Sequence, residues 1–249
     1  MALRLAVLGD VHGNIAALES ALADMKRHRP DAIAVTGDLC LNGPRPAEVV
    51  ARIEALDADG ALVVQGNTDV AVADFDFAAA FPWLEQVPPA YRQAAEWAHE
   101  QLTGEQRDYL RRLAAERRLW ADRALVLVCH GSPGSQTNGL PADLDPSVTV
   151  ERVTRTDARV IVCGHTHVAD VRELGRKLIV NPGSCGYAFD GQPSACWALL
   201  TLPDDGEEPS AELYRPSYDA QAMAEEVSTR GLAGDVYRAA TIRTGRFVR

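Results

Sequence analysis

The chain has 249 residues and a formal net charge of −10, from 35 Asp+Glu against 25 Lys+Arg. Apolar residues make up 47% and charged residues 24%, which excludes a disordered chain and leaves ample material for a core. The acidic balance argues against a protein that coats long nucleic acid or anionic membrane, since both demand basic surface; a small phosphate-bearing substrate answers to local charge instead.

In chain order, Leu3–Gly9 is a short apolar run. The opening Met1–Asp10 has the look of a signal peptide, but Arg4 interrupts it and no cleavage site follows, so it reads as a first strand. A helical pattern over Asn14–Arg27 comes next, then a strand at Ala32–Gly37, a helix at Pro46–Leu56 and a strand at Ala61–Gly66. Strand alternating with helix predicts βαβ units and parallel pairing. Tyr91–Glu116 is helical, with Thr103 and Gln106 as a capping box between two helices, and reads as an inserted pair. Ala124–Cys129, Arg159–Gly164 and Lys177–Val180 are again strands. Cys196–Leu202 and Glu212–Arg215, separated by the acidic turn Pro203–Ser210, predict an antiparallel hairpin, and Asp219–Ser228 a final helix. No apolar run approaches the ~20 residues of a membrane span. The five cysteines (40, 129, 163, 185, 196) show no C-x-x-C spacing, which speaks against a disulfide frame or zinc ribbon and for a reducing cytoplasm.

In open α/β sheets, ligands bind beyond the carboxyl ends of the strands. The residues there read Asp10-Val11-His12, Gly37-Asp38, Gly66-Asn67-Thr68-Asp69, His130-Gly131, Gly164-His165-Thr166-His167 and Asn181-Pro182-Gly183. Four of the six histidines fall at these ends; His28 and His99 lie in helical patterns and are expected at the surface. Each block alone reads as a turn or a helix cap. Together they leave four strand-end histidines that turns do not explain. Asp, His and Asn without clustered thiolates form a nitrogen-and-oxygen ligand set suited to Mn, Fe, Co, Ni or Zn. Seven candidate ligands exceed the need of one ion, whereas two ions sharing a bridging carboxylate would use them all.

In this order and spacing the blocks D-x-H, G-D, G-N-x-D, H-G and G-H-T-H resemble the calcineurin-like metallophosphoesterase superfamily from Asp10 to Ser184. More narrowly, the chain resembles its bacterial cytosolic diadenosine-tetraphosphatase-like and phosphodiesterase members. The resemblance implies an α/β fold of two packed mixed β-sheets flanked by helices, a single domain over 1–249 with a helical insertion at about 85–117 and a closing hairpin plus helix at about 195–230. It implies one divalent ion on Asp10, His12, Asp38 and His167, and a second on Asp38, Asn67, His130 and His165, with manganese favoured and Fe, Ni, Zn or Co as alternatives. A hydroxide between them would attack phosphorus while the Asn67 amide helps neutralise the phosphoryl oxygens, and Asp69 would accept an N–H from a ligating imidazole. With two such ions the net charge would rise to about −6.

Two departures from the family pattern matter. Thr68 stands where many members carry a histidine that helps protonate the leaving group, which implies a preference for phosphodiesters or for easily departing groups. No Asp-Arg-Gly follows Gly37-Asp38; Arg45 is the nearby candidate for a phosphate contact, or else a surface residue at a helix start. The long Gly131–Ser147 loop is expected to be a solvent loop or a lid, and Asn181–Ser184 a tight turn. The implied activity is a dinuclear-metal phosphoesterase, preferably a phosphodiesterase, acting on small phosphate esters or nucleotides. The alternatives are a phosphomonoesterase or a non-catalytic protein-binding scaffold of the same fold. Expected partners are therefore a small substrate, no long nucleic acid and no membrane, with room for a homo-oligomer face.

Overall fold

A computed structural model describes residues 2–121, 124–204 and 207–248. Met1 and Arg249, and Asp205 and Gly206 of the expected hairpin turn, lie outside the described residues. The chain begins β1 (Leu3–Leu8), α1 (Ile15–His28), β2 (Ala32–Val35), α2 (Pro46–Ala58), β3 (Leu62–Val63). Then come α3 (Asn67–Asp74), the single turn α4 (Phe77–Ala80), and the pair α5 (Pro89–Gln101) and α6 (Gly104–Arg112). It continues through β4 (Glu116–Ala121), β5 (Ala124–Cys129), α7 (Pro146–Val153), β6 (Val160–Val162), β7 (Asp170–Leu174) and β8 (Lys177–Asn181). It closes with β9 (Trp197–Leu202), β10 (Ser210–Tyr214), α8 (Ala220–Thr229) and α9 (Asp235–Thr244).

Two five-stranded mixed sheets result, in the orders β10-β9-β1-β2-β3 and β4-β5-β6-β8-β7. β1, β2 and β3 run parallel, as do β5, β6 and β8, so their carboxyl ends share one edge of each sheet. The sandwich follows from the two-residue period of the strands. Leu5 and Val7 face Val126, Val128, Val160 and Val162 of the second sheet, while Ala6 and Leu8 turn outward onto α1 and α2. On the far side, Ile161 and Ile179 pack beneath Val153 of α7. The layers are helix, sheet, sheet, helix.

Local chemistry sets the element ends. Asn14 caps α1 by accepting from the Ala17 N–H at 3.1 Å, and Thr103 and Gln106 bond each other's backbone at the start of α6. The helical stretch expected up to Glu116 ends at Arg112, because the chain from Glu116 pairs antiparallel with β5. α3, α4, β7, α7 and α9 are absent from the sequence expectations. α7 begins inside the stretch expected as loop, with Asp145 as its cap and Pro146 in its first turn. α9 follows α8, so the helix expected to be last is not. His28 and His99 are half-buried rather than surface residues. The His28 ring packs 4.2 Å from that of Tyr214, and His99 Nδ1 donates to the Val72 carbonyl at 2.7 Å. Both helices turn those faces inward.

Candidate metal centre

Asp10 and His12 follow β1, Asp38 follows β2, and Asn67 opens α3 directly after β3. From the second sheet, His130 follows β5 and His165 and His167 follow β6. These seven side chains meet across the seam between the sheets. Donor atoms of Asp10, His12, Asp38 and His167 all lie within 4.8 Å of one another, every one of them buried. Beside them, Asn67 Oδ1 lies 2.9 Å from His130 Nε2 and 3.1 Å from His165 Nδ1. Asp38 stands between the groups, with Oδ2 3.5 Å from His12 Nε2 and Oδ1 3.5 Å from His130 Nε2.

The donor set fits a cation on chemical grounds. Nδ1 of His12, His130 and His167 each donates to a main-chain carbonyl, of Leu41, Thr36 and Tyr187, at 2.9, 2.7 and 2.6 Å. That leaves Nε2 of each neutral ring as a bare acceptor. Nε2 of His12 and of His167 then face each other at 3.1 Å, lone pair to lone pair, an arrangement that a positive ion between them turns from repulsive to favourable. Burial lowers His12 and His167 below the usual imidazole range, and burial with His130 lowers His165 to about 4, so these rings stay neutral. Burial works to raise Asp38, but in the acid range where it titrates, and where the imidazoles are charged, His130, His12 and His165 outweigh burial and hold it down to about 2. Burial and the Asp38 charge push Asp10 well up. The divalent ions that such a set suits are those of the Mn to Zn series.

The backbone is strained where these donors sit. Asp10, His12, Asp38, His165 and His167 have φ of 51, 50, 56, 68 and 57°, the left-handed region that side chains disfavour. Neighbours hold them there. The His165 N–H donates to Asp10 Oδ1 at 3.1 Å. Ser184 Oγ donates to the Asp10 carbonyl at 2.7 Å, and Asn181 Nδ2 donates to the Gly164 carbonyl at 2.9 Å. Asn181-Pro182-Gly183-Ser184 thus ties the two sheets' loops together.

Three expectations change. Asp69 touches no imidazole: its carboxylate accepts from the main-chain N–H groups of Asp38, Leu39 and Gly66 at 2.9, 2.8 and 2.9 Å, because the imidazole N–H groups are already taken by carbonyls. Asn67 Nδ2 donates to the Ala80 carbonyl at 2.9 Å, which turns Oδ1, not the NH₂, toward the histidines. Arg45 stays out of the cleft. Its exposed guanidinium is held by Glu226 at 2.7 Å and Glu48 at 3.0 Å in a separate surface groove, where opposite charges satisfy it. The Gly131–Ser147 stretch is divided: Gly131, Pro133, Gly139 and Leu140 are buried, Gln136 donates to the Gln65 carbonyl and the Thr137 backbone bonds His165, while Gly134, Asn138, Ala142, Asp143 and 145–147 are exposed, as expected of a solvent loop.

Above the donors lies a cleft of about 710 Å³ whose lining includes Thr68, Trp83, Tyr187, Phe189, Tyr237 and Arg238. Of these only Thr68 belongs to a strand-end motif. The others come from the α4–α5 connection, the Tyr187–Phe189 turn and α9, segments whose nearness to the donors has no sequence signal.

A family model for the calcineurin-like phosphoesterase superfamily domain matches residues 3–205. The chain belongs to this superfamily. A metallophosphoesterase from Sphaerobacter thermophilus superposes with a TM-score of 0.76 at 26% identity, over 98% of this chain and 100% of that one. A hypothetical protein from Pyrococcus horikoshii OT3 shares the fold, with a TM-score of 0.82 at 20% identity over 98% of each chain. An uncharacterized protein of Methanocaldococcus jannaschii is 24% identical over 238 residues, 90% of this chain and 91% of its own length. Membership of the calcineurin-like superfamily and the buried Asp/His cluster support a metal-dependent phosphoesterase. Among the described residues, no helix is long and apolar enough to cross a membrane.

Proposed function

We propose that the chain is a phosphodiesterase that uses two divalent ions, manganese first among them, to hydrolyse small phosphodiesters, nucleotides included. The observation that carries this reading is Asp38, which turns one carboxylate oxygen to each group of histidines. On this reading Asp10, His12, Asp38 and His167 hold one ion, and Asp38, Asn67, His130 and His165 the other. Such a pair supplies Lewis acidity to the phosphoryl oxygens and makes a water nucleophilic near neutral pH.

The chain's own residues do the rest. With both ions bound, the Asp38 carboxylate would offset the repulsion between them, and the Thr68 N–H fixes its Oδ1 at 2.9 Å. The carbonyls of Leu41, Thr36 and Tyr187 fix the tautomer and aim of three imidazoles. Thr68 Oγ1 has no hydrogen-bond partner among the described residues, and the residue lines the cleft; it serves as a neutral donor to an ester oxygen. Among the described lining residues, the only imidazoles are His12, His165 and His167, so no free ring is left to protonate a leaving group. Arg238, the only Lys or Arg among them, is buried, paired with Asp235, and donates four of its five N–H groups within the protein. The second charge of a monoester therefore finds no partner beyond the ions, whereas a diester carries only one.

Metal-depleted protein reloaded with Mn, Ni, Zn or Mg is assayed on bis-p-nitrophenyl phosphate and on p-nitrophenyl phosphate. Diester turnover is expected to lead, and Thr68→His to move the ratio toward the monoester by about tenfold or more, as an added general acid does. A ratio left unmoved removes Thr68 from the preference. No turnover with any ion, together with no bound metal by elemental analysis, overturns the enzyme reading in favour of a protein-binding scaffold.

A further inference from the structure

The cleft above the metal centre is far larger than a phosphate needs, and its walls are built of rings. On one side Trp83, 55% exposed, stands edge-on to His165 with ring centroids 6.2 Å apart. Buried Phe81 braces it from behind at 5.8 Å, and Tyr91 in turn packs 5.5 Å from Phe81. On the other side Phe189 stacks on His167, with centroids 4.2 Å apart and planes 24° apart. Phe247 continues that wall 4.9 Å from Phe189. Tyr237 of α9, 48% exposed, also lines the cleft. One ring cluster thus begins on His165 and the other on His167 of the Gly164-His165-Thr166-His167 turn, so a group attached to a phosphate at the centre meets aromatic surface in the cleft.

Charge points the same way. Additional phosphates would need cations, but Arg238 is the only Lys or Arg among the described lining residues. It is buried, and its donors go to Asn42 Oδ1, Asp235 Oδ1 and the Ala233 and Ala90 carbonyls. A flat apolar group finds its match there; a chain of phosphates does not.

We propose that the substrate carries a planar aromatic group, an aryl ring or a nucleobase, next to the scissile phosphate, and that Trp83 and Tyr237 determine this specificity by stacking on it. The inference rests on the phosphoesterase reading for the position of the phosphate. It commits to an ester with one phosphate and one flat apolar group, and excludes polyphosphate chains as the preferred substrate.

The test is equilibrium binding to the manganese-loaded protein by calorimetry, using ligands matched in everything but the ring. Phenylphosphonate is compared with methylphosphonate, and AMP with ribose 5-phosphate; inorganic phosphate serves as reference for the centre itself. In at least one pair the aromatic member is expected to bind about tenfold tighter, the scale of one stacking contact. The phenyl pair alone assigns an aryl group, the AMP pair alone a nucleobase. Trp83→Ala is expected to erase the ratio and Trp83→Phe to keep it, which a merely structural role would not produce. Tyr237→Ala, at a second exposed ring, is expected to reduce it as well. A ratio near one in the wild type, or one untouched by both alanine variants, overturns the inference while phosphate binding still supports the centre. Where the phenyl pair shows the ratio, cyclohexylphosphonate binding as tightly as phenylphosphonate also overturns the inference, because stacking needs a flat face. Failure of inorganic phosphate to bind at all counts against the phosphoesterase reading, and the inference falls with it.

Discussion

Gly66 lies so close to Asp38 that a Cβ there would sit 2.1 Å from Asp38 Oδ1 and 2.3 Å from its nitrogen. Rotation of the carboxylate cannot relieve this contact, since the Thr68 N–H already holds Oδ1 and Asp69 already holds the Asp38 N–H. Gly66→Ala is therefore expected to displace the shared carboxylate, lowering bound metal and cutting phosphodiester turnover about 100-fold, or ~2.7 kcal/mol of barrier. Elemental analysis and kinetics on folded protein check this; full metal content with wild-type turnover would contradict it. Gly164 guards Asp10 in the same way, its missing Cβ leaving room 2.6 Å from Asp10 Oδ2. The donors were legible in the sequence because they follow apolar strands, and all but His167 sit directly beside a glycine. The direction of the Asn67 amide and the targets of Asp69 were not, because they depend on backbone groups brought near from distant parts of the chain.

At the level of elements, long runs such as Leu3–Leu8 or Ala124–Cys129 announce themselves by continuous burial, and α1 by its Asn14 cap. β7 does not, because Asp170-Val171-Arg172-Glu173-Leu174 is an edge strand that alternates charged with apolar residues, Asp170 and Arg172 pairing with each other and Glu173 meeting solvent. α9 was equally hidden, since Ala239 and Ile242 are its only buried apolar residues and Asp235, Arg238 and Thr241 are buried with them. Arg230, just past α8, donates to the Gly43 and Asn42 carbonyls at 2.8 and 2.9 Å and to Asp235 Oδ1 at 2.7 Å. Arg238 on α9 bonds the same Asp235 oxygen at 3.1 Å and Asn42 Oδ1 at 3.2 Å. One carboxylate thereby holds two buried guanidiniums, and the C-terminal helices are fastened to the loop that follows Asp38. Asp235→Ala leaves both cations buried beside each other, and breaking such a buried ion pair costs about 3–5 kcal/mol. Urea unfolding measures the loss; a change under about 1 kcal/mol would mean that water or another acceptor takes over the role of Asp235.

Across the whole molecule, the first sheet supplies Asp10, His12, Asp38 and Asn67, and the second His130, His165 and His167. On the proposed reading, ions held by both sets would join the two sheets at the open edge of the sandwich, away from the apolar seam of Leu5, Val7, Val126 and Val128. Without them Asp10 and Asp38 remain buried side by side, and burial with the Asp38 charge is what pushes Asp10 up. Metal binding is then part of the folding free energy, since the unfolded chain assembles no such site. One site occupied at a hundred times its Kd adds about 2.7 kcal/mol. For a chain of this length that is a Tm shift of roughly 5–10 °C. A chelator is expected to lower Tm by that amount in a single transition, because both sheets lose the same clamp together, and added manganese to restore it. Calorimetry alongside elemental analysis decides the matter. An unchanged Tm in protein shown to be metal-free would mean that the centre is held by packing alone, and two separate transitions would mean that the sheets unfold independently.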